Sequence, residues 1–311
     1  MNYRKKWNYL QEKEKEKEKQ NQEHTPKCST NPFNNIPVFV LNLDRSSHRY
    51  QYMKKQYDAH AIPFTRVSAV DGKQLTIHKQ TPVMKILCNY TYHDPILNHY
   101  YIRDKIQLVT IPQTGQQYPI VASTYELGCT LSHYRAHSTI KQQELPIALI
   151  MEDDMSLQYM KQWPCSIETI LSLAPKDWTI IQLYTNNRNL AHSLYEGEEL
   201  FHKISSEAIN DYWGTGCYLI NQQGISKIQS QFNELQDPFD PHYTIRIREE
   251  ILTDRLVYKQ PGAYLFTFPL FNETQFTRND ILRPVSHAPV HEQMTKYIQM
   301  IYSFLPSPNK N

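Results

Sequence analysis

The stretch Ile147–Asp154, IALIMEDD, decides how this chain is read, because five consecutive apolar residues run without a spacer into three acids. An apolar run so short and unalternating fits a strand buried on both faces. Strands of that kind belong to sheets covered by helices, and such sheets bind ligands at the carboxyl edge, where Glu152, Asp153 and Asp154 stand. Adjacent carboxylates raise one another's pKa unless a divalent cation sits among them, and hard oxygen donors suit Mg2+ or Mn2+. An acidic turn that caps a following helix satisfies the same spacing.

Working outward, the same alternation of strand and helix recurs. Ile36–Leu43 is a nearly continuous apolar run of the same kind; after Asp44, Tyr50, Met53 and Tyr57 fall at helical spacing, and Phe64–Val70 reads as a second strand closing at Asp71 and Gly72. A helix is expected from Thr124 to about Leu145, with Leu127, Leu131 and Tyr134 on one face and Thr130, His133 and His137 on the other. Further expectations are a helix at Ser166–Leu173, strands at Trp178–Tyr184 and Cys217–Ile220, a helix starting at Gln222, a helix over Thr244–Tyr258 and a strand at Tyr264–Phe268. Val290, Met294, Ile298, Ile301 and Leu305 mark a C-terminal amphipathic helix. Residues 74–123, interrupted by Pro82, Pro95, Pro112 and Pro119, read as an irregular insertion. The expected organisation is a charged, solvated tail over 1–34, one domain over 35–285, and a C-terminal helix and tail over 286–311.

Composition narrows the classes. The 311 residues are 40% hydrophobic and 21% charged, which excludes wholesale disorder, and no apolar run approaches the roughly 18 residues of a membrane span. Net charge is +2, but residues 1–30 hold 8 bases and 5 acids, leaving the remainder at −1. A neutral body of that kind argues against nucleic acid as a partner. Cys28, Cys88, Cys129, Cys165 and Cys217 form no CxxC pair, so neither a disulfide framework nor a zinc ribbon is indicated. Arg4, Lys5 and Lys6 lead into Glu12–Lys19 rather than an apolar signal core, and the expected location is cytoplasmic, with peripheral membrane contact left open. The sequons at Asn89 and Asn272 read as chance matches.

Other residues carry candidate chemistry beside plain structural readings. His133 and His137 are four apart without a glutamate between them, which excludes the zinc-protease pattern and leaves hydrogen-bonded histidines or a ligand contact from His133. Trp213-Gly214-Thr215-Gly216 holds two of the chain's 8 glycines beside an aromatic ring, either a sugar-stacking acceptor loop or a turn around a buried Trp. Asp254 lies near Glu249 and Glu250 in a charge run that reads by default as a solvated face. No GxGxxG, GxxxxGK or nucleophile-elbow pattern is present.

Four ordered segments resemble glycosyltransferase family 25, the lipooligosaccharide and procollagen galactosyltransferases: VFVLNLDR (38–45) with Arg49 and RVSAVDG (66–72); ELGCTLSH (126–133) followed by ALIMEDD (148–154); GTGCYLI (214–220) with Gly224; and Asp254 in TDRLVY before Tyr264–Pro269. The resemblance spans about Ile36–Leu282. It implies an α/β, GT-A type, Rossmann-like domain with a central, mostly parallel sheet that binds UDP-galactose or UDP-glucose with Mn2+ (or Mg2+). The implied reaction moves the hexose, with inversion, to a hydroxyl of a glycan or hydroxylated protein. Residue by residue it implies Asp154 as direct metal ligand, Glu152 acting through water or outer contact, and Asp153 on the ribose. Asn42, Asp44, Arg45 and Arg49 would line the uridine and diphosphate, with Asp71 and His133 as further donor contacts. Asp254 is the leading base, with Glu250 and Asp211 as substitutes; His287 or His291 would close the metal shell; Trp213, Gly214 and Thr215 would meet the acceptor. A catalytically silent sugar-nucleotide or glycan-binding module and a nucleotidyltransferase using the same carboxylates are the rival readings. The C-terminus, SPNKN, carries no KDEL-type signal, which favours a bacterial-type or viral enzyme.

Overall fold

The chain opens not with a solvated tail but with a helix, α1 (Asn2–Gln22). The computed structural model describes residues 2–22, 32–33, 35–74, 76–79, 90–94, 99–103, 108–110, 117–119, 124–235, 243–247, 252–274, 276 and 288–306. Tyr3, Trp7 and Leu10 fall at i, i+4 and i+7 and are buried, while Glu14 accepts from the Ser166 amide (2.9 Å) and hydroxyl (3.1 Å) and Lys17 pairs with Glu168. Burial pushes the Lys6 ammonium down to about 8, and it donates to the carbonyls of Leu194 (2.8 Å) and Thr267 (3.1 Å) and to the Thr267 hydroxyl (2.7 Å). The apolar stripe, more than the alternating Glu/Lys run, decides the structure of this segment, so the expected tail is a packed helix.

The main unit then begins with β1 (Val38–Asn42), α2 (Ser47–Ala59) and β2 (Thr65–Ser68). In place of the expected irregular insertion come β3 (Thr76–Lys79), β4 (Tyr90–Asp94), β5 (His99–Arg103), β6 (Leu108–Thr110) and β7 (Gln117–Pro119). Next are α3 (Thr124–Gln142), β8 (Ile147–Glu152), β9 (Met155–Ser156), α4 (Ile167–Leu173), β10 (Ile180–Gln182), α5 (Arg188–Glu196) and β11 (Phe201–Lys203). The chain continues through β12 (Cys217–Asn221), α6 (Gln222–Gln229), β13 (Phe232–Leu235) and β14 (Tyr243–Ile247). It closes with α7 (Thr253–Tyr258), β15 (Ala263–Phe266), β16 (Asn272–Glu273) and α8 (Ala288–Ser303). The single helix expected over Thr244–Tyr258 is therefore a strand and a short helix.

The central sheet runs β11-β15-β10-β12-β8-β1-β2. Among the described residues only β12 and β11 oppose the direction of the other strands, so this is the mostly parallel α/β sheet expected. A second sheet, β13-β14-β5-β4-β3, joins strands from both sides of α3. Buried Val38–Leu41, Ala148–Met151 and Cys217–Ile220 form the centre of the core.

Two features of this topology place a site. From β1 the chain crosses to β2 on one side, whereas β8 pairs with β1 on the other, so the carboxyl ends of β1 and β8 flank a topological switch point. Successive side chains on β8 also point to opposite faces. Met151 faces α2, whose Tyr57 hydroxyl lies 2.8 Å from the Met151 sulfur, and Glu152 faces α3. On that side α3, α6 and α7 pack together.

Candidate functional site

The strand alternation of β8 splits the acidic triplet. Asp153 turns toward α2, accepts from the Asn42 side-chain amide at 2.6 Å and pairs with Arg49; Asp154 takes the same guanidinium at 3.1 Å. Glu152 goes to the other face, accepting from the Thr215 hydroxyl at 2.9 Å with His133 Nε2 3.5 Å away. The three carboxylates therefore do not converge on one point, which corrects the expectation of a single cluster: consecutive residues leaving a strand cannot all face one way.

On the α2 face, Asn42 is fixed at the end of β1 by Arg66, whose Nε donates to its Oδ1 at 2.9 Å. Burial and then the Glu152 charge raise the Asp153 pKa, opposed by Arg49 and the Asn42 hydrogen bond. Three more expected donor contacts, Asp44, Arg45 and Asp71, form the outer rim. Asp44 pairs with Arg66 and accepts from the Ser68 hydroxyl at 2.9 Å, which hold its pKa down, and Arg45 pairs with Asp71 at 2.6 Å. Arg49 also lies over the Phe276 ring at 5.1 Å.

On the α3 face the loop before β12 runs beside the end of β8, since the Glu152 amide donates to the Gly216 carbonyl at 2.8 Å. This brings Thr215 to Glu152 and the Gly214 amide to Asp254 on α7. Gly214 has φ +90°, a left-handed backbone that glycine adopts without strain, and its carbonyl accepts from Tyr258 (3.0 Å) and Gln182 (3.1 Å). Asp254 retains some exposed surface while its carboxyl faces inward; burial first, then the Glu152 charge, pushes it up to about 7 against the Gly214 hydrogen bond and Arg255. Asp254 is thus no solvated helix face.

His133 and His137 are both fully buried, and each places a ring nitrogen 2.8 Å from the Tyr218 hydroxyl. Burial, with His133 second, lowers the His137 pKa to about 3, so that ring is neutral. Cys129, one turn before His133, completes a group of three potential ligands with His133 and Glu152. Trp213 is exposed at the loop tip.

Several expected residues stand elsewhere. Asp211 is exposed on a short turn, and among the described residues no contact ties its carboxylate to Glu152 or Asp254. His291 is committed to Glu273, which also accepts from the Tyr184 hydroxyl at 3.2 Å, rather than to Asp154. Glu250 and His287 lie outside the described residues. Asn272 is buried, so that sequon offers no accessible acceptor. Arg66, Cys129 and Tyr218 were not singled out from sequence, although all three sit inside the motifs quoted for the resemblance.

Carboxylates and arginines cluster at the switch point of a mostly parallel sheet, the edge at which α/β proteins as a class bind ligands, and this defines the chain as an α/β protein of that class. The chain belongs to glycosyltransferase family 25: the model of that family, described as glycosyltransferase family 25 (LPS biosynthesis protein), matches residues 35–243. It is 28% identical over 232 residues to procollagen galactosyltransferase 1-B of Xenopus laevis, covering 71% of this chain and 33% of that one. It is 26% identical over 194 residues to human procollagen galactosyltransferase 2, covering 61% and 27%. The chain thus spans about a third or less of the length of these curated relatives. A crystal structure of a glycosyltransferase involved in the glycosylation of the major capsid of PBCV-1 aligns over 84% of this chain and 98% of its own, at a TM-score of 0.31 and 10% identity, too loose a likeness to bear on the fold. No helix among the described residues is long and apolar enough to cross a membrane.

Proposed function

We propose that this chain transfers a hexose, with inversion, from UDP-galactose or UDP-glucose to a hydroxyl of a glycan or hydroxylated protein. The observation that carries this reading is the position of Asp254, an inward-facing carboxyl held by the Gly214 amide near Glu152 at the end of β8 and pushed up to about 7. Membership of the family supports the sugar-transfer chemistry, and the names of the relatives favour galactose and a protein acceptor.

The residues divide the work by face. On the α2 side, Asn42 and Asp153 orient the nucleoside, and Arg49, Arg45 and Arg66 offer guanidinium groups to a diphosphate, their present carboxylate partners being exchanged or shared. Asp153 and Asp154 fit a divalent cation such as Mn2+: their donors are hard oxygens, both are buried, and two carboxylates face one guanidinium. Such an ion, when bound, supplies charge neutralisation for a departing diphosphate. On the α3 side, Trp213 and Thr215 border the place of the acceptor. Asp254, held by the Gly214 amide, takes the acceptor hydroxyl's proton as that oxygen bonds to the anomeric carbon opposite the leaving UDP.

The test is metal-dependent UDP release from a panel of UDP-sugars. Asp254→Asn should lower turnover by about 10²–10⁴ while leaving donor binding intact. Full turnover in that variant would overturn the assignment of the base. Donor binding by the wild type with no UDP release, with or without acceptor, would leave a sugar-nucleotide-binding module.

A further inference from the structure

On the α3 face, Cys129, His133 and Glu152 each place one potential ligand atom within 4.8 Å of the other two. Cys129 and His133 lie one turn apart on α3, and Glu152 arrives from the end of β8. His133 is fully buried, and its Nε2 has no hydrogen-bond partner among the described residues. A bare imidazole nitrogen in the interior costs roughly 1–3 kcal/mol unless something fills the place it faces. It faces Glu152 Oε1 at 3.5 Å, and two ligands on one tetrahedral ion with bonds of about 2.1 Å stand about 3.4 Å apart. The other ring nitrogen, Nδ1, is held at 2.8 Å by the Tyr218 hydroxyl, itself 2.8 Å from His137 Nε2, which is the outer contact that fixes the ring of a metal-bound histidine.

We propose that Cys129, His133 and Glu152 form a three-ligand site for a zinc-type transition-metal ion, separate from the aspartates on the opposite face of the sheet. A sulfur, nitrogen and oxygen donor set is borderline soft and selects zinc over magnesium or manganese, whereas Asp153 and Asp154 offer only hard oxygen. Binding displaces the Cys129 thiol proton to solvent, and three protein ligands leave the fourth position to water or a substrate oxygen. The ion would tie α3 to the end of β8, whichever sugar is transferred.

The site can be read without activity, by titrating Co2+ into the chelator-treated full chain. One equivalent should give tetrahedral d–d bands and a thiolate-to-cobalt charge-transfer band that Zn2+ removes, whereas Co2+ held by the oxygen donors of Asp153 and Asp154 gives no charge-transfer band of this kind. Cys129→Ser should abolish the charge-transfer band, and His133→Ala should weaken binding by about a hundredfold or more. Tyr218→Phe should weaken it about ten- to a hundredfold. Asp154→Asn should leave the spectrum unchanged. If His133→Ala does not fold cooperatively, His133→Gln reads the same loss. No charge-transfer band, binding that survives Cys129→Ser with an unaltered spectrum, or binding lost only in Asp154→Asn would each overturn the proposal. UDP release is not part of this readout, so its failure and that of the transferase reading are separable.

Discussion

Asp254 should cost the folded protein stability at neutral pH, and replacing it with asparagine should return that stability while removing the proposed base. Its carboxyl is raised from an ordinary 3.8 to about 7, chiefly by burial and then by Glu152. A raised acid binds its proton more tightly folded than unfolded, so between those two values the native state holds the extra proton and stability falls as pH rises. At about 1.4 kcal/mol per pH unit, the whole window is worth about 4 kcal/mol, of which about 2–3 falls between about pH 5 and about pH 8. Asparagine has no such titration. Urea unfolding of chelator-treated protein, run across that range, should show the Asp254→Asn variant gaining on the wild type by about 2–3 kcal/mol toward high pH. Chelation matters, because a cation beside Glu152 would offset the charge that helps to raise Asp254. A stability difference that is flat with pH, or one that shifts toward the wild type at high pH, would refute the reasoning.

Three other perturbations test the architecture. Arg49→Met strands Asp153 and Asp154 in a buried site and should cost about 3–5 kcal/mol near neutral pH, less in acid where the carboxylates can protonate; urea midpoints at two pH values decide it. Gly128→Ala would put a Cβ 2.8 Å from the Val70 carbonyl oxygen and 2.9 Å from the Gly72 amide nitrogen, both backbone atoms, and should cost roughly 1–3 kcal/mol in thermal or urea unfolding. Trp7→Ala removes a buried ring from α1 and should destabilise the whole protein by about 3 kcal/mol with loss of one cooperative transition's midpoint, whereas a solvated N-terminal tail would tolerate it silently.

What was legible depended on how local the cause was. The apolar runs at 38–41, 147–151 and 217–220 announce strands because burial on both faces leaves no polar residue to interrupt them, and these three strands sit side by side in the sheet. The same homogeneity hides which face each residue takes. Period two was nevertheless available beyond the run: Tyr57 meets Met151 on one side, so Glu152 belongs to the other and Asp153 returns, as Arg49 and His133 report. The strand's geometry persists a residue past its last apolar position, and that is why the triplet does not gather into one cluster. The helix expected over Thr244–Tyr258 failed for a related reason, since YTIRI at 243–247 alternates as a strand does, while the acids after it drew attention to helical charge spacing. Other features had no local cause to find. The elevated pKa of Asp254 needs a Gly214 amide 40 positions away in sequence and a Glu152 carboxylate 102 away, and only the antiparallel pairing of β12 with β8 brings both to α7. Cys129 illustrates the intermediate case: its spacing to His133 is written in one helical turn, but a third ligand from the sheet is what turns an i,i+4 pair into a site, and that ligand is the acid the alternation sends to the α3 face.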